Sequence, residues 1–183
     1  MRTSRFSFVL FLALIFYSLA SFAEIGRDPY VYFFNETWGN YQEELVKARE
    51  EGKKGILLFF ELDDCPWCHR MKTTVLNQTE VQEYFRKHFL NFSVDIEGDV
   101  EMVDFNGKAM SQKYFSEKVN RVRATPVFAF YDLQGKQVVR FVGATSSVEE
   151  FIWLGEFYLD GHYKNTNFTK YKRQKKDAAR QGK

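Results

Sequence analysis

Hydrophobic positions along the chain fall into blocks of two kinds, and their alternation sets the expected architecture. Residues 55–61, GILLFFE, form an unbroken apolar run of strand length, the pattern of a strand buried on both faces. FLNFSVDI (89–96) and VFAFYD (127–132) are further runs of this type, and QVVRFVG (137–143) follows across a turn at LQGK (133–136). Helical patterns lie between them. Residues 45–51 are good helix formers and stop at Gly52, a natural C-terminal cap. Pro66 suits the first position of a helix that runs through HRMKTTVL to an end at Asn77. The run TEVQ (79–82) has the form of a capping box for a helix to about His88. Residues 97–110 read as a surface loop and residues 111–119 as helix. Ser146 and Ser147 offer an N-cap, with Glu149 and Glu150 in the first turn, to a last helix reaching Asp160. Helices separated by apolar strands imply an α/β fold with a central sheet flanked by helices on both faces. A parallel start followed by a hairpin makes that sheet mixed.

The first 23 residues stand outside this pattern. Arg2 and Arg5 precede FSFVLFLALIFYSLA, an apolar segment of signal-peptide size, and Ser21-Phe22-Ala23 puts small residues where a signal peptidase reads them. Cleavage is expected after Ala23, which implies a periplasmic or secreted protein. The alternative is an uncleaved anchor, for which the run is short. The 183 residues, 45% hydrophobic and with 20 Phe, suit one domain with a substantial core and exclude disorder for most of the chain. Charge is unevenly placed. Residues 164–183 carry eight basic residues against Asp177, and residues 24–163 carry 16 basic against 23 acidic, a net −7. Residues 24–163 are therefore expected to be the domain, and 164–183 a basic, disordered tail. Export and an acidic body argue against nucleic-acid binding.

Both cysteines lie in DDCPWCHRM (63–71), which fits two chemistries. Cys-x-x-Cys-His is an attachment sequence for covalent haem, with His69 as an iron ligand and Met102 or Met110 as candidates for the second axial position. That reading leaves the strands unexplained, and Pro66 is out of place in it. A redox dithiol opening a helix accounts for both. A purely structural disulfide closing a two-residue loop would contribute little chain-entropy stabilisation. Zinc on Cys65, Cys68 and His69 has poor ligand spacing. At a helix N-terminus the Cys65 sulfur meets free backbone N–H groups and the positive end of the dipole, which favour the attacking thiolate. Cys68, one turn inside, is then the resolving thiol, and no cofactor beyond a Cys65–Cys68 disulfide is required.

This order of elements, with CPWC at a strand-to-helix junction and ATPV (124–127) before a later strand, resembles the thioredoxin superfamily over about residues 38–162. The turn GATSSVEEF (143–151) into the last helix belongs to the same resemblance. The segments KAREEGKKGILLFF and SVDIEGDVEMVDF look most like the exported thioredoxin-related proteins of bacteria, the SoxW-like group. The resemblance implies a thioredoxin fold, the same roles for Cys65 and Cys68, and a site shaped by Pro66 and Trp67. It also implies a cis Thr125–Pro126 bond that offers the Thr125 backbone to a bound peptide. As partners it implies exported proteins with disulfides, and a membrane thiol-transfer protein of the DsbD or CcdA type as electron donor.

Two positions depart from the family pattern. The place of its buried acid is Phe59, and the aromatic residue before the first cysteine is Asp64. Glu61 is the nearest substitute acid: it accepts the Cys68 proton if it points inward, and is a surface charge otherwise. Asp63 and Asp64 oppose the helix dipole at Cys65, which favours giving electrons over an oxidase or isomerase role. His69 is expected to face solvent. The expected protein is a monomeric periplasmic thiol–disulfide oxidoreductase that reduces disulfides in exported proteins.

Overall fold

Strand β1 (Gly55–Glu61) has all seven residues buried, so its apolar run needs partners on both edges and cover on both faces. In the computed structural model, which describes residues 26–181, it has both. The expected signal peptide and the cleavage point after Ala23 lie outside the described residues. Strand β2 (Phe89–Asp95) pairs parallel to β1, and β5 (Val127–Tyr131) pairs antiparallel on its other side. Strand β6 (Gln137–Val142) extends the sheet antiparallel to β5, giving the order β2-β1-β5-β6. This is the mixed sheet expected.

Period-two alternation divides the core. Leu57 and Phe59 of β1 join Phe89, Phe128 and Phe130 on one face. There they meet α3 (Pro66–Thr74), α4 (Thr79–His88) and α6 (Val148–Leu159) through Met71, Phe85, Phe151 and Leu154. Ile56, Leu58 and Phe60 point the other way, with Leu90, Phe92 and Val127, onto Tyr41, Leu45 and Ala48 of α2 (Tyr41–Glu50). A short helix α1 (Pro29–Tyr32) precedes α2 and packs its neighbours Phe33 and Phe34 on the first face. Helix α5 (Gln112–Tyr114) runs on as a wider π turn over residues 115–119 and adds Phe115 to the second.

The helix ends differ in how well they were foreseen. Gly52 follows α2 at φ +67°, a conformation suited to glycine, and Ser147 caps α6 by accepting from the Glu150 N–H at 3.2 Å. The capping box at TEVQ does not form: Gln78 is the N-cap and makes no side-chain cap bond. Gln82 is buried and spends its amide outside the helix, donating to the carbonyls of Arg27 at 3.0 Å and Leu76 at 2.9 Å. Helix α3 ends at Thr74, before Asn77, whose amide instead donates back to the Thr73 carbonyl.

Two larger expectations need correction. Residues 97–110 are not simply a loop, for β3 (Glu101–Val103) and β4 (Ala109–Ser111) pair as a hairpin. Asp104 shapes its turn by accepting from the N–H groups of Asn106 and Lys108 at 2.8 and 2.9 Å. Strands of three residues are too short to show a period. The tail expected to be disordered contains helix α7 (Phe168–Gln181), so ordered packing continues past residue 163. Its Phe168 and Tyr171 are buried, with rings 5.6 and 5.4 Å from that of Phe157. Lys172 and Lys175 reach Glu150 and Glu156 on α6, each at 2.7 Å. Among the described residues, no helix is long and apolar enough to cross a membrane.

The docking of α7 makes two testable statements. Phe168→Ala is expected to cost about 3 kcal/mol, read by urea unfolding; a loss within error would show α7 to be unattached. Burial pushes the Glu150 carboxyl up, but hydrogen bonds from Lys172 and Ser146 outweigh it and hold its pKa below the ordinary value. A lowered carboxyl pKa stabilises the fold above the unfolded value of about 4.3, and the gain is lost as pH falls through the folded value. Glu150→Gln should therefore lower Tm at pH 7, by a deficit that shrinks below about pH 4.

Candidate functional site

Strand β1 ends at Glu61, and the chain turns through Leu62, Asp63 and Asp64 before entering α3. The turn is closed by the Cys65 N–H, which donates to the Leu62 carbonyl at 3.2 Å. Cys65 is the N-cap of α3 and Pro66 stands at its first turn, where the missing N–H costs nothing. The Cys65 sulfur accepts from the Cys68 backbone N–H at 3.0 Å, as an N-cap side chain does. The two sulfurs are joined as a disulfide. Cys65 is 7% exposed at the rim and Cys68 is fully buried.

Around this pair the surface is uneven. Asp63, Asp64 and His69 are exposed, the last as expected. Trp67 is 58% exposed, and the Arg70 guanidinium lies over its ring at 5.6 Å. Arg70 also donates to the Thr145 carbonyl at 3.1 Å, and the buried Thr145 hydroxyl donates to the Ser147 carbonyl. The turn before α6 is thereby tied to the dithiol helix.

Phe60 of β1 stands opposite Val127 of β5, so Pro126 comes next at the sheet edge where β1 releases the dithiol. The Thr125–Pro126 bond is cis. The Pro126 carbonyl accepts from the Gly143 N–H at 2.8 Å, leaving the backbone of Thr125 at the rim. Cys65, Cys68, Pro66, Trp67, Thr125 and Pro126 therefore share one end of the sheet.

Glu61 points inward, but not to a sulfur. Only 6% exposed, it shares the face of Leu57 and Phe59. Its Oε2 accepts from Lys72 Nζ at 2.5 Å, and its Oε1 accepts from the Tyr30 hydroxyl at 3.1 Å and from Ser93 Oγ. Lys72 also donates to the Tyr30 oxygen at 2.7 Å and lies 5.0 Å from the ring centroid. Burial works to lower the Lys72 pKa, yet its bonds to Glu61 and Tyr30 raise it above the ordinary lysine value. Burial, as the main cause, pushes the Tyr30 phenol up. No hydrogen bond joins Glu61 to either cysteine. At the family's acid position Phe59 is fully buried, 4.9 Å from the Phe128 ring and 5.7 Å from that of Phe34.

Lys72, Tyr30, Ser93, Arg70 and Thr145 were not singled out from the sequence. For Lys72 a signal existed: it lies four residues after Cys68, on the same helix face. Tyr30 comes from a four-residue helix and had none.

A family model for the thioredoxin-like domain matches residues 41–159, well over half of the chain. The chain belongs to the thioredoxin-like family. A thioredoxin-fold protein from Helicobacter pylori is 25% identical and superposes with a TM-score of 0.56, over 69% of this chain and 87% of that one. A thioredoxin from Thermus thermophilus is 23% identical, with a TM-score of 0.52 over 71% and 90%. The oxidised C-terminal domain of Neisseria meningitidis DsbD is more distant, at 19% identity and a TM-score of 0.48 over 68% and 97%. No curated protein sequence matches the chain. This thioredoxin-like oxidoreductase carries its CxxC pair in the disulfide state, at the N-terminus of a helix.

The Glu61–Lys72 pair is expected to stabilise the fold as a unit. Glu61→Met or Lys72→Met alone leaves a buried charge and should cost about 3 kcal/mol. The double variant should cost less than the two singles together, which urea unfolding measures; additive losses would show that the pair is not coupled. A raised lysine pKa stabilises the fold below the unfolded value of about 10.4. The coupling should therefore fade as pH rises past it.

Proposed function

We propose that this protein is exported to the periplasm and reduces disulfides in other exported proteins, in the manner of the SoxW-like bacterial thioredoxin-related proteins. The observation that carries the reading is the asymmetry of the pair: Cys65 caps the helix at the rim, and Cys68 is sealed beneath it. In the reduced protein, the Cys65 thiolate attacks a substrate disulfide. The substrate S–S bond breaks, one substrate sulfur leaves and takes a proton, and a mixed disulfide forms at Cys65. Cys68 then loses its proton and attacks the Cys65 sulfur, which frees the second substrate thiol and closes the Cys65–Cys68 bond. Two electrons pass to the substrate. An incoming dithiol from a membrane thiol-transfer protein of the DsbD or CcdA type restores the reduced pair.

The direction is argued from charge. Asp63 and Asp64 immediately precede Cys65 and oppose the dipole that stabilises its thiolate, and no basic residue lies between the cysteines. A less stabilised thiolate makes the reduced state a better electron donor. Neighbouring backbone at Thr125 offers strand-like hydrogen bonds to an extended substrate segment.

Equilibration with glutathione or a dithiol buffer should give a Cys65–Cys68 potential below about −220 mV. A value near −120 mV, that of a strong oxidase, would reverse the direction. Cys68→Ser should accumulate mixed disulfides through Cys65 in the native host, and recovery of none would remove the catalytic reading.

A further inference from the structure

Four acidic side chains are buried among the described residues, and three of them are answered by partners. Glu61 has Lys72 and Glu150 has Lys172, while Asp104 accepts two backbone N–H groups. Glu44 has none. It is 8% exposed, it forms no ion pair, and its Oε2 is out of water without a hydrogen-bond donor. A carboxylate buried in this way is costly unless a cation comes to it.

Glu44 lines an open cleft of about 650 Å³ at the start of α2, together with Glu36, Thr37, Trp38, Glu43 and Lys47. Acids in a helix's first turn are common because the dipole favours them. That suffices for Glu43, which is exposed and accepts from the Asn40 amide at 2.7 Å. It does not account for a buried carboxylate at the cleft wall with one oxygen left without a donor. Lys47, the cleft's one cation, lies within 4 Å of none of the three carboxylates.

Trp38 is the second unusual feature. It is 100% exposed, yet its segment is well held. The Gly39 carbonyl accepts from the Val103 N–H at 2.8 Å, the Gly39 N–H donates to Thr37 Oγ1 at 3.0 Å, and Asn40 bridges to Val103. An uncovered indole on a held backbone, beside three carboxylates, suits a cation borne on an apolar stem, the head meeting charge and the stem or charge meeting the ring. A bare metal ion suits the cleft less, because no three acidic or histidine groups among the described residues converge to hold one.

We propose that this cleft docks a basic side chain, lysine or arginine, of a polypeptide partner, with its head at Glu44 and its stem across Trp38. Helix α2 packs on the face of the sheet opposite the dithiol helix, so the cleft and the dithiol belong to different faces. An extended polypeptide is long enough to pass from one face to the other, which a free diamine is not.

Amide NMR spectra of the oxidised protein test this without any redox readout, so the outcome is separate from that of the reductase reading. The probes are a capped Gly-Lys-Gly peptide, its arginine and norleucine counterparts, and 1,5-diaminopentane. The Trp38 indole signal, identified by its loss in Trp38→Phe, and the Glu44 amide should shift saturably with the lysine and arginine peptides. The norleucine peptide should bind at least roughly tenfold more weakly. Glu44→Gln and the surface variant Trp38→Ala should each weaken the lysine peptide by a similar factor, and added salt should do so too. Absence of saturable shifts, equal binding of norleucine, or a preference for the diamine over both basic peptides would overturn the proposal.

Discussion

Complete burial of β1 is the constraint on which the rest of the molecule depends. A strand with no exposed residue at the centre of a sheet must be covered by helices on both sides, and its two sets of alternating side chains define two cores. Whatever follows it in the chain is delivered to one defined place, the carboxyl edge of the sheet. Here that is a turn of three residues and then the two cysteines. The helix they open lies on one face, so the dithiol inherits its position from the strand and its orientation from α3. Ties from Arg70 to Thr145 and from Thr145 to Ser147 fix α3 against the turn that starts α6.

At the end of β1, the polar group that the family pattern places one way is placed another. Phe59 fills the family's acid position with an aromatic ring. The carboxylate appears two residues later on the same face, already matched to Lys72, Tyr30 and Ser93. Both Glu61 oxygens are thus engaged by donors of this chain. A group so fully satisfied rigidifies the junction of β1 with its neighbours. Lys72 brings its charge from the dithiol helix itself, so the pair staples α3 to β1.

The sheet, the two-faced core and the cysteine pair were legible because they rest on long signals: apolar runs, a proline at a helix start, a motif at a junction. Thr125–Pro126 was placed by likeness to a family, since nothing local distinguishes a cis bond. What escaped has physical reasons. Strands β3 and β4 are too short for periodicity. Gln82 satisfies buried carbonyls rather than its own helix end, a tertiary demand that overrode a capping pattern. In α7 the basic composition concealed an apolar edge of just two buried residues, Phe168 and Tyr171, and two lysines whose partners lie on another helix. Glu61 was ambiguous for a related reason. Its inward direction follows from strand alternation, but its partners come from α1, α3 and β2.

The unequal depth of the two sulfurs also carries a chemical selection rule. A disulfide approaching from solvent meets one sulfur of this pair, so of the two conceivable mixed disulfides only one regiochemistry is open. The second sulfur competes with no outside thiol for access. Its step is unimolecular, with an effective concentration set by one turn of helix instead of by the surroundings. Release of a captured partner by Cys68 is therefore paced by α3, at a rate that the concentration of outside thiols does not enter.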